Sequence, residues 1–254
     1  MEESYTIFEE FELPSKGLVY NPVINPKVRI RSMTTEDEMW RLQRTESHYK
    51  TMCELIDRCL VGEDKPKISS YDMCIGDYQF LLHKLRVVTY GPDYKMMITC
   101  PYCKQVNEVT VSLDDLEVHE YDDEYNDCLN ITLPVTKKRI ELRMQTPRLL
   151  DEIDARKKEM KKKTKDRTSR YDYLITLEYL IKSIDNEVLP PASMEKFILQ
   201  LPMADANYLL QKADKLNQKV GVEATVVTEC PDCANTVVGP FLITSEFFGP
   251  TIDE

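Results

Sequence analysis

Glycine is scarce in this sequence, with seven in 254 residues. That leaves little material for loops that cradle phosphate through backbone N–H groups, and neither a P-loop nor a Gly-x-Gly-x-x-Gly pattern occurs. No apolar run approaches the ~20 residues needed to span a bilayer, so a soluble chain is expected. Histidine is rarer still: His48, His83 and His119 are the only three. No Gly-x-Ser-x-Gly, His-Glu-x-x-His or paired-carboxylate arrangement stands beside them. His83 falls on an apolar helical pattern, where a hydrogen-bonded structural role is expected, and His119 lies in an acidic stretch. The sequence therefore offers no catalytic constellation, and a non-enzymatic protein is expected. Basic charge is in deficit too, with 33 Lys and Arg against 44 Asp and Glu and a net charge of -11. That balance argues against a general nucleic-acid binder, because phosphate contact rests on clustered cations. Nothing at the N-terminus resembles a secretory signal, so a reducing compartment and free thiolates are expected.

What is present is organised around cysteine. Cys100-Pro101-Tyr102-Cys103 and Cys230-Pro231-Asp232-Cys233 share one spelling, and each lies between runs that read as strands. Met96, Met97, Ile98 and Thr99 lead into the first pair, and Val106, Val109 and Val111 alternate with polar residues after it. Val226 and Val227 precede the second pair, and Val237, Val238, Phe241 and Ile243 follow it. A strand, a tight turn holding two thiolates and a return strand make a zinc knuckle, and two knuckles supply the four sulfurs of a tetrahedral site. The expected ligands are Cys100, Cys103, Cys230 and Cys233, holding one structural Zn2+. Thioredoxin-type redox chemistry fits worse, since it wants a single Cys-x-x-Cys at a helix N-terminus. Lys104 and Ala234 occupy the position after each second cysteine, where glycine would accept a positive φ without cost. With four thiolates bound no coordination position stays open, which argues against metal-assisted hydrolysis. Cys53, Cys59, Cys74 and Cys128 stand among apolar neighbours and read as small buried hydrophobes.

The remaining chain, 42% hydrophobic and 30% charged, suffices for one large domain or two modest ones. Residues 1–31 read as extended, with Val28 and Ile30 making a half-buried strand. A helix starts at Thr34 or Thr35, the latter forming a capping-box spelling with Glu38, and a second runs near 49–60. Tyr71 to Tyr90 is the most apolar helical pattern of the N-terminal half, with Leu81, Leu82 and Leu85 predicted to be buried and Gly91-Pro92 ending it. Residues 113–127 are rich in Asp and Glu and read as a solvated segment. Residues 129–144 alternate as a hairpin, and Thr146-Pro147 opens a helical region. Between Arg156 and Arg170 lies a basic run including Lys161, Lys162, Lys163 and Lys165, either an idle solvated face or a docking patch for an acidic partner. An amphipathic helix over 171–184 and two short helices over 193–200 and 204–219 precede the second cysteine pair.

The fold class expected from these elements is α+β: a helical bundle with short β-hairpins and a split four-cysteine zinc ribbon. The predicted organisation is residues 1–95 as N-terminal strands and helices, 96–113 plus 222–245 as the split ribbon, and 114–221 as an inserted acidic segment, hairpin and helical subdomain. Joining residues so distant in sequence, the zinc would contribute directly to folding free energy.

One resemblance adds to this. Gly76-Asp77 opening a helix, Arg86 ahead of Thr89-Tyr90-Gly91, and Cys100-Pro101-Tyr102-Cys103 after a short strand resemble a baseplate protein family of T-even-like contractile-tailed bacteriophages. Leu13-Pro14-Ser15-Lys16-Gly17-Leu18-Val19-Tyr20 is similar to that family as well, and the likeness is best over 13–113 and thinner through the insert. The family includes a baseplate hub subunit implicated in hub assembly. The resemblance implies a structural or hub-assembly protein without catalysis. It would be made in the host cytoplasm, reside in the virion tail, and contact other baseplate or tail proteins or further copies of itself. The alternative is a zinc-ribbon transcription or polymerase-binding factor, which a mobility shift at low salt would reveal.

Overall fold

The computed structural model describes residues 6–43, 47–63, 65–164, 170–223, 225–241 and 245–249. The alternation Lys27-Val28-Arg29-Ile30-Arg31 buries Val28 and Ile30 on one face of β2 (Lys27–Arg31). This strand pairs antiparallel with β1 (Phe8–Glu12) on one side and, after α1 (Thr35–Arg41) and α2 (His48–Cys59), with β3 (Leu60–Val61) on the other. The capping box of α1 is Thr34 with Asp37, not Thr35 with Glu38. Asp37 is fixed from two sides, by Arg31 at 2.6 Å and Arg58 at 3.1 Å, and so stays within 2.9 Å of the Thr34 amide. Glu38 is drawn away to Arg41 at 2.6 Å.

The predicted helix over 71–90 divides. A 3-10 turn covers Ser70–Asp72, and α3 (Ile75–Tyr90) begins after Met73 and Cys74, which stay outside it. Two distant acceptors cause the break. The Cys74 amide donates to the Tyr20 hydroxyl at 3.0 Å, and the Ile75 amide donates to the Gln145 carbonyl at 2.9 Å. Leu81, Leu82 and Leu85 are buried as expected, and Gly91 ends the helix with φ 86°.

Polar residues of α3 hold the surrounding chain. Asp77, fully buried, accepts from the Ser15 amide at 3.0 Å, the Ser15 hydroxyl at 2.5 Å and the Tyr20 hydroxyl at 2.6 Å, which pins the loop at 13–20. Burial pushes its carboxyl above the ordinary range in spite of those donors. Arg86, also fully buried, donates to the Phe247 carbonyl at 2.9 Å and the Gly91 carbonyl at 3.2 Å, under the Tyr90 ring at 4.7 Å. Thr89 accepts from the Met33 amide at 3.1 Å. His83, expected to be fully hydrogen-bonded, is not: its Nδ1–H donates to the Gln79 carbonyl at 2.7 Å. Its Nε2 is buried with no partner among the described residues, beside the rings of Phe241 and Phe247.

Two hairpins carry the cysteine pairs: β4 (Asp93–Thr99) with β5 (Val106–Ser112), and later β11 (Thr225–Glu229) with β12 (Thr236–Pro240). Between them lie β6 (Val118–His119), α4 (Glu124–Leu129), β7 (Asn130–Thr132), β8 (Arg139–Leu142), α5 (Pro147–Thr164), α6 (Arg170–Leu180), β9 (Ile181–Ile184), α7 (Pro191–Leu199), α8 (Met203–Gln218) and β10 (Gly221–Val222). The acidic segment is more than a wet loop: it buries Leu113 and Tyr125 in the main core, and β6 pairs antiparallel with β10. The helix predicted to reach Ile184 stops at Leu180. Ile181 to Ile184 instead add a third strand to the hairpin β7–β8, with Ile140 opposite Ile184, because paired β-branched residues pack well on a sheet. Asp185 and Asn186, at φ 50° and 70°, turn the chain directly afterwards. Leu149, Ile153 and Ile175 make a separate small core between α5 and α6. Lys165 and Arg167 of the basic run, and Ile243 beyond the second cysteine pair, lie outside the described residues.

Candidate metal centre

Each cysteine pair sits where its hairpin turns, and the two turns are built alike. The Cys100 amide donates to the Gln105 carbonyl at 3.0 Å, and the Lys104 amide returns to the Cys100 carbonyl at 3.0 Å. In the second turn the Cys230 amide reaches the Asn235 carbonyl at 2.9 Å and the Ala234 amide reaches the Cys230 carbonyl at 2.9 Å. Lys104 and Ala234 take the positive φ their position demands, 65° and 54°. The twin spelling thus produces twin geometry, at the cost of left-handed backbone in two residues with a Cβ. Lys104 offsets part of its strain by donating from Nζ to the Pro101 carbonyl at 2.7 Å.

The turns meet head to head. Cys100 Sγ lies 3.7 Å from Cys233 Sγ, Cys103 Sγ lies 3.7 Å from Cys230 Sγ, and all four sulfurs fall within 4.8 Å of one another. A disulfide would bring two sulfurs to about 2.05 Å, and all eight cysteines are free. A tetrahedron with metal–sulfur bonds of about 2.3 Å has edges of about 3.8 Å, close to the two 3.7 Å separations, so the four-sulfur set suits a zinc-sized thiophilic cation. Neither pair opens a helix, which removes the setting of a dithiol redox site. Cys100 and Cys230 are buried, with Val237 beside them in a small core of its own and Cys103, Cys233 and Ile98 packed against it.

Side chains that the sequence did not single out complete the site. Asn235 donates its backbone and side-chain amides to Cys233 and draws that thiol down to about 6. Asn107 of β5 donates to Cys230 Sγ at 3.5 Å and to Asp232 at 3.1 Å, tying one hairpin to the turn of the other. The Gln105 amide favours the Cys103 thiolate, but burial and the three neighbouring thiols outweigh it and push Cys103 up to about 12. Four clustered sulfurs do not all ionise unaided, and a divalent cation would remove that repulsion. Cys53, Cys59 and Cys74 are buried away from this cluster, as expected, while Cys128 is only half-buried.

A second concave region, of about 910 Å³, lies between α2, α3, α8 and β10. His119 and Glu223 line it with Nε2 and Oε2 3.1 Å apart, beside Tyr49, Tyr78 and Asp214.

A family model described as T4 bacteriophage base plate protein matches residues 5–249 of the chain, the region expected to be thinner in likeness included. No curated protein and no solved structure matches it.

Proposed function

The chain belongs to the family of T4 bacteriophage base plate proteins, and from that premise we propose that it is a non-enzymatic structural or hub-assembly component, stapled by one zinc ion. The match over residues 5–249 is the observation that carries this reading, since it spans the hairpins, the insert and the helical core alike. In this reading Cys100, Cys103, Cys230 and Cys233 hold the metal, and the hairpins β4–β5 and β11–β12 are the halves of one split ribbon. Residues 1–95 are then the N-terminal strands and helices, and residues 114–221 an inserted acidic segment, hairpin and helical subdomain that shares their core. Bound zinc supplies no reaction here; it neutralises the thiolates and clamps segments distant in sequence. The protein then works through contacts with other baseplate proteins, assembled in the host cytoplasm and carried in the virion tail. The alternative of a transcription or polymerase-binding factor draws no support from the family match.

Zinc content is the direct test. Protein purified under reducing conditions without chelator should contain one zinc per chain by elemental analysis, and Cys103→Ser should abolish it. Cys53→Ala should keep the metal and lower stability by about 1–3 kcal/mol, as small losses of buried volume do. Metal-free wild-type protein would refute the ligand set. Mass spectrometry of purified particles and of infected-cell lysate tests the assembly role: the chain should co-purify with baseplates or with their intermediates.

A further inference from the structure

The two cysteine turns match in spelling and in backbone, but the strands that leave them do not match. Four residues after its second cysteine the first hairpin has Asn107, and the second hairpin has Val237 at the same step. In each hairpin that residue pairs across the ladder with the one two before the first cysteine: Asn107 with Ile98, and Val237 with Thr228. Val237 is buried against the sulfurs, and Ile98 packs on them as well. Along β5 the residues on the same face as Asn107 are Val109, which is buried, and Val111, packed on the main core. The pattern of the strand therefore calls for an apolar residue at 107. An amide on an inward face is costly unless its N–H groups find acceptors.

Asn107 finds them on the opposite hairpin. Its Nδ2 lies 3.5 Å from Cys230 Sγ and 3.1 Å from Asp232 Oδ2, so each of the two hydrogens on that nitrogen has its own acceptor. A thiolate and a carboxylate only accept, which turns the nitrogen of the amide toward them rather than the oxygen. Among the described residues, the side-chain amides that reach sulfur are Asn107 and Asn235, and both serve the second pair. That pair has the greater need. Its turn carries the Asp232 carboxylate where the first turn carries Tyr102, so negative charge accumulates there beside the sulfurs. Asn235 acts within its own hairpin, on Cys233 at 3.3 Å, whereas Asn107 reaches from one hairpin to the other.

We propose that Asn107 is a positioning residue of the metal centre: its amide holds the second turn against the first hairpin, so that the four sulfurs are gathered before a metal arrives, and it stabilises the charge on Cys230 once the metal is bound. Gathering the ligands beforehand removes part of the ordering cost of binding, and so raises affinity without any new bond to the metal. A group that hydrogen-bonds to a ligand also orients it, and losing such a group typically weakens metal binding about 10- to 100-fold. The same bond draws electron density from the sulfur, which alters the absorption of a bound transition metal. This inference rests on the zinc reading of the four cysteines.

The test uses the full chain, reduced and stripped of metal, as wild type, Asn107→Leu and Asn107→Asp. Zinc affinity is measured by competition with a chromophoric chelator, and cobalt(II) is added to separate samples as a coloured probe of the same site. Asn107→Leu, close in size, should bind zinc about 10- to 100-fold more weakly, with the stoichiometry unchanged. Asn107→Asp keeps the shape but sets a carboxylate against Cys230 and Asp232, so it should bind more weakly than Asn107→Leu. The sulfur-to-cobalt charge-transfer band should move to longer wavelength in Asn107→Leu, because a sulfur without that N–H gives up electron density more readily. The zinc-loaded variants should show the circular dichroism of wild type, which separates a weakened site from a failure to fold. Zinc affinity within about twofold of wild type in both variants overturns the inference alone, since a lost ligand partner costs far more. Equal losses in the two variants with an unmoved cobalt band would assign Asn107 to packing and overturn it as well. A wild-type chain that binds neither zinc nor cobalt overturns the zinc reading, and this inference with it.

Discussion

His83 is the residue whose ionisation should be felt by the whole fold. Its Nδ1–H is committed to the Gln79 carbonyl, so a second proton would have to enter at Nε2, which faces Phe241 and Phe247. Burial lowers its pKa from 6.5 to about 4, with the hydrogen bond to Gln79 opposing and Lys84 adding a little. The unfolded chain therefore takes the proton first as pH falls. The stability His83 permits at neutral pH should be lost between about pH 6.5 and pH 4, amounting to about 3 kcal/mol. Urea denaturation across that window should reveal the loss, and His83→Leu should flatten it. Gly76 offers a sharper steric test. A Cβ there would stand 1.9 Å from the Val220 carbonyl oxygen, backbone that cannot swing aside. Gly76→Ala should destabilise the protein by about 3 kcal/mol or more, read from the same titration.

Among the elements, α3 carries the largest share of the core. Leu82, 2% exposed, lies in the main core, and Leu82→Ala should cost about 2–5 kcal/mol in equilibrium unfolding. The burial of this helix was legible in the sequence because its apolar spacing is local, and its start was not. The break at Met73 and Cys74 depends on the Tyr20 hydroxyl and the Gln145 carbonyl, partners with no signature near residue 74. Ile181 to Ile184 misled for the same reason: apolar residues continuing a helical pattern became a strand because β8 offered an edge. The meeting of the two cysteine pairs was legible because their spelling and strand context are repeated, and the structure brings the four sulfurs within 4.8 Å of one another. Asn107 was not, since 123 residues separate it from Cys230. Asn235, immediately after the second turn, could have been found by asking which donors a thiolate turn requires. Asp77 and Arg86 came forward only through family likeness, and the structure supplies their physics: one pins the loop at 13–20, the other the backbone at Phe247.

At the scale of the whole molecule, charge is segregated but not idle. The acidic segment meets lysines of the body, Lys84 with Asp114 at 2.8 Å and Lys219 with Glu124 at 2.6 Å. The basic end of α5 is exposed, and Lys157, Lys158 and Lys162 make no ion pair among the described residues. Replacing Lys161, Lys162 and Lys163 with Gln should leave thermal stability within about 0.5 kcal/mol of wild type, because the exposed pairs Lys161–Asp172 and Lys163–Glu159 contribute little. Where this end meets an acidic partner, the same variant should associate more slowly and with less dependence on salt, measurable by stopped-flow at several ionic strengths. The head-to-head turns also set a timetable. Cys103 and Cys230 are 127 positions apart, so a ribosome adding about 5–20 residues per second exposes the first thiol pair roughly 6–25 s before the second. During that interval the nascent chain carries one thiol pair without the pair that it meets in the fold, open to oxidation, and the last turn to emerge closes the latch.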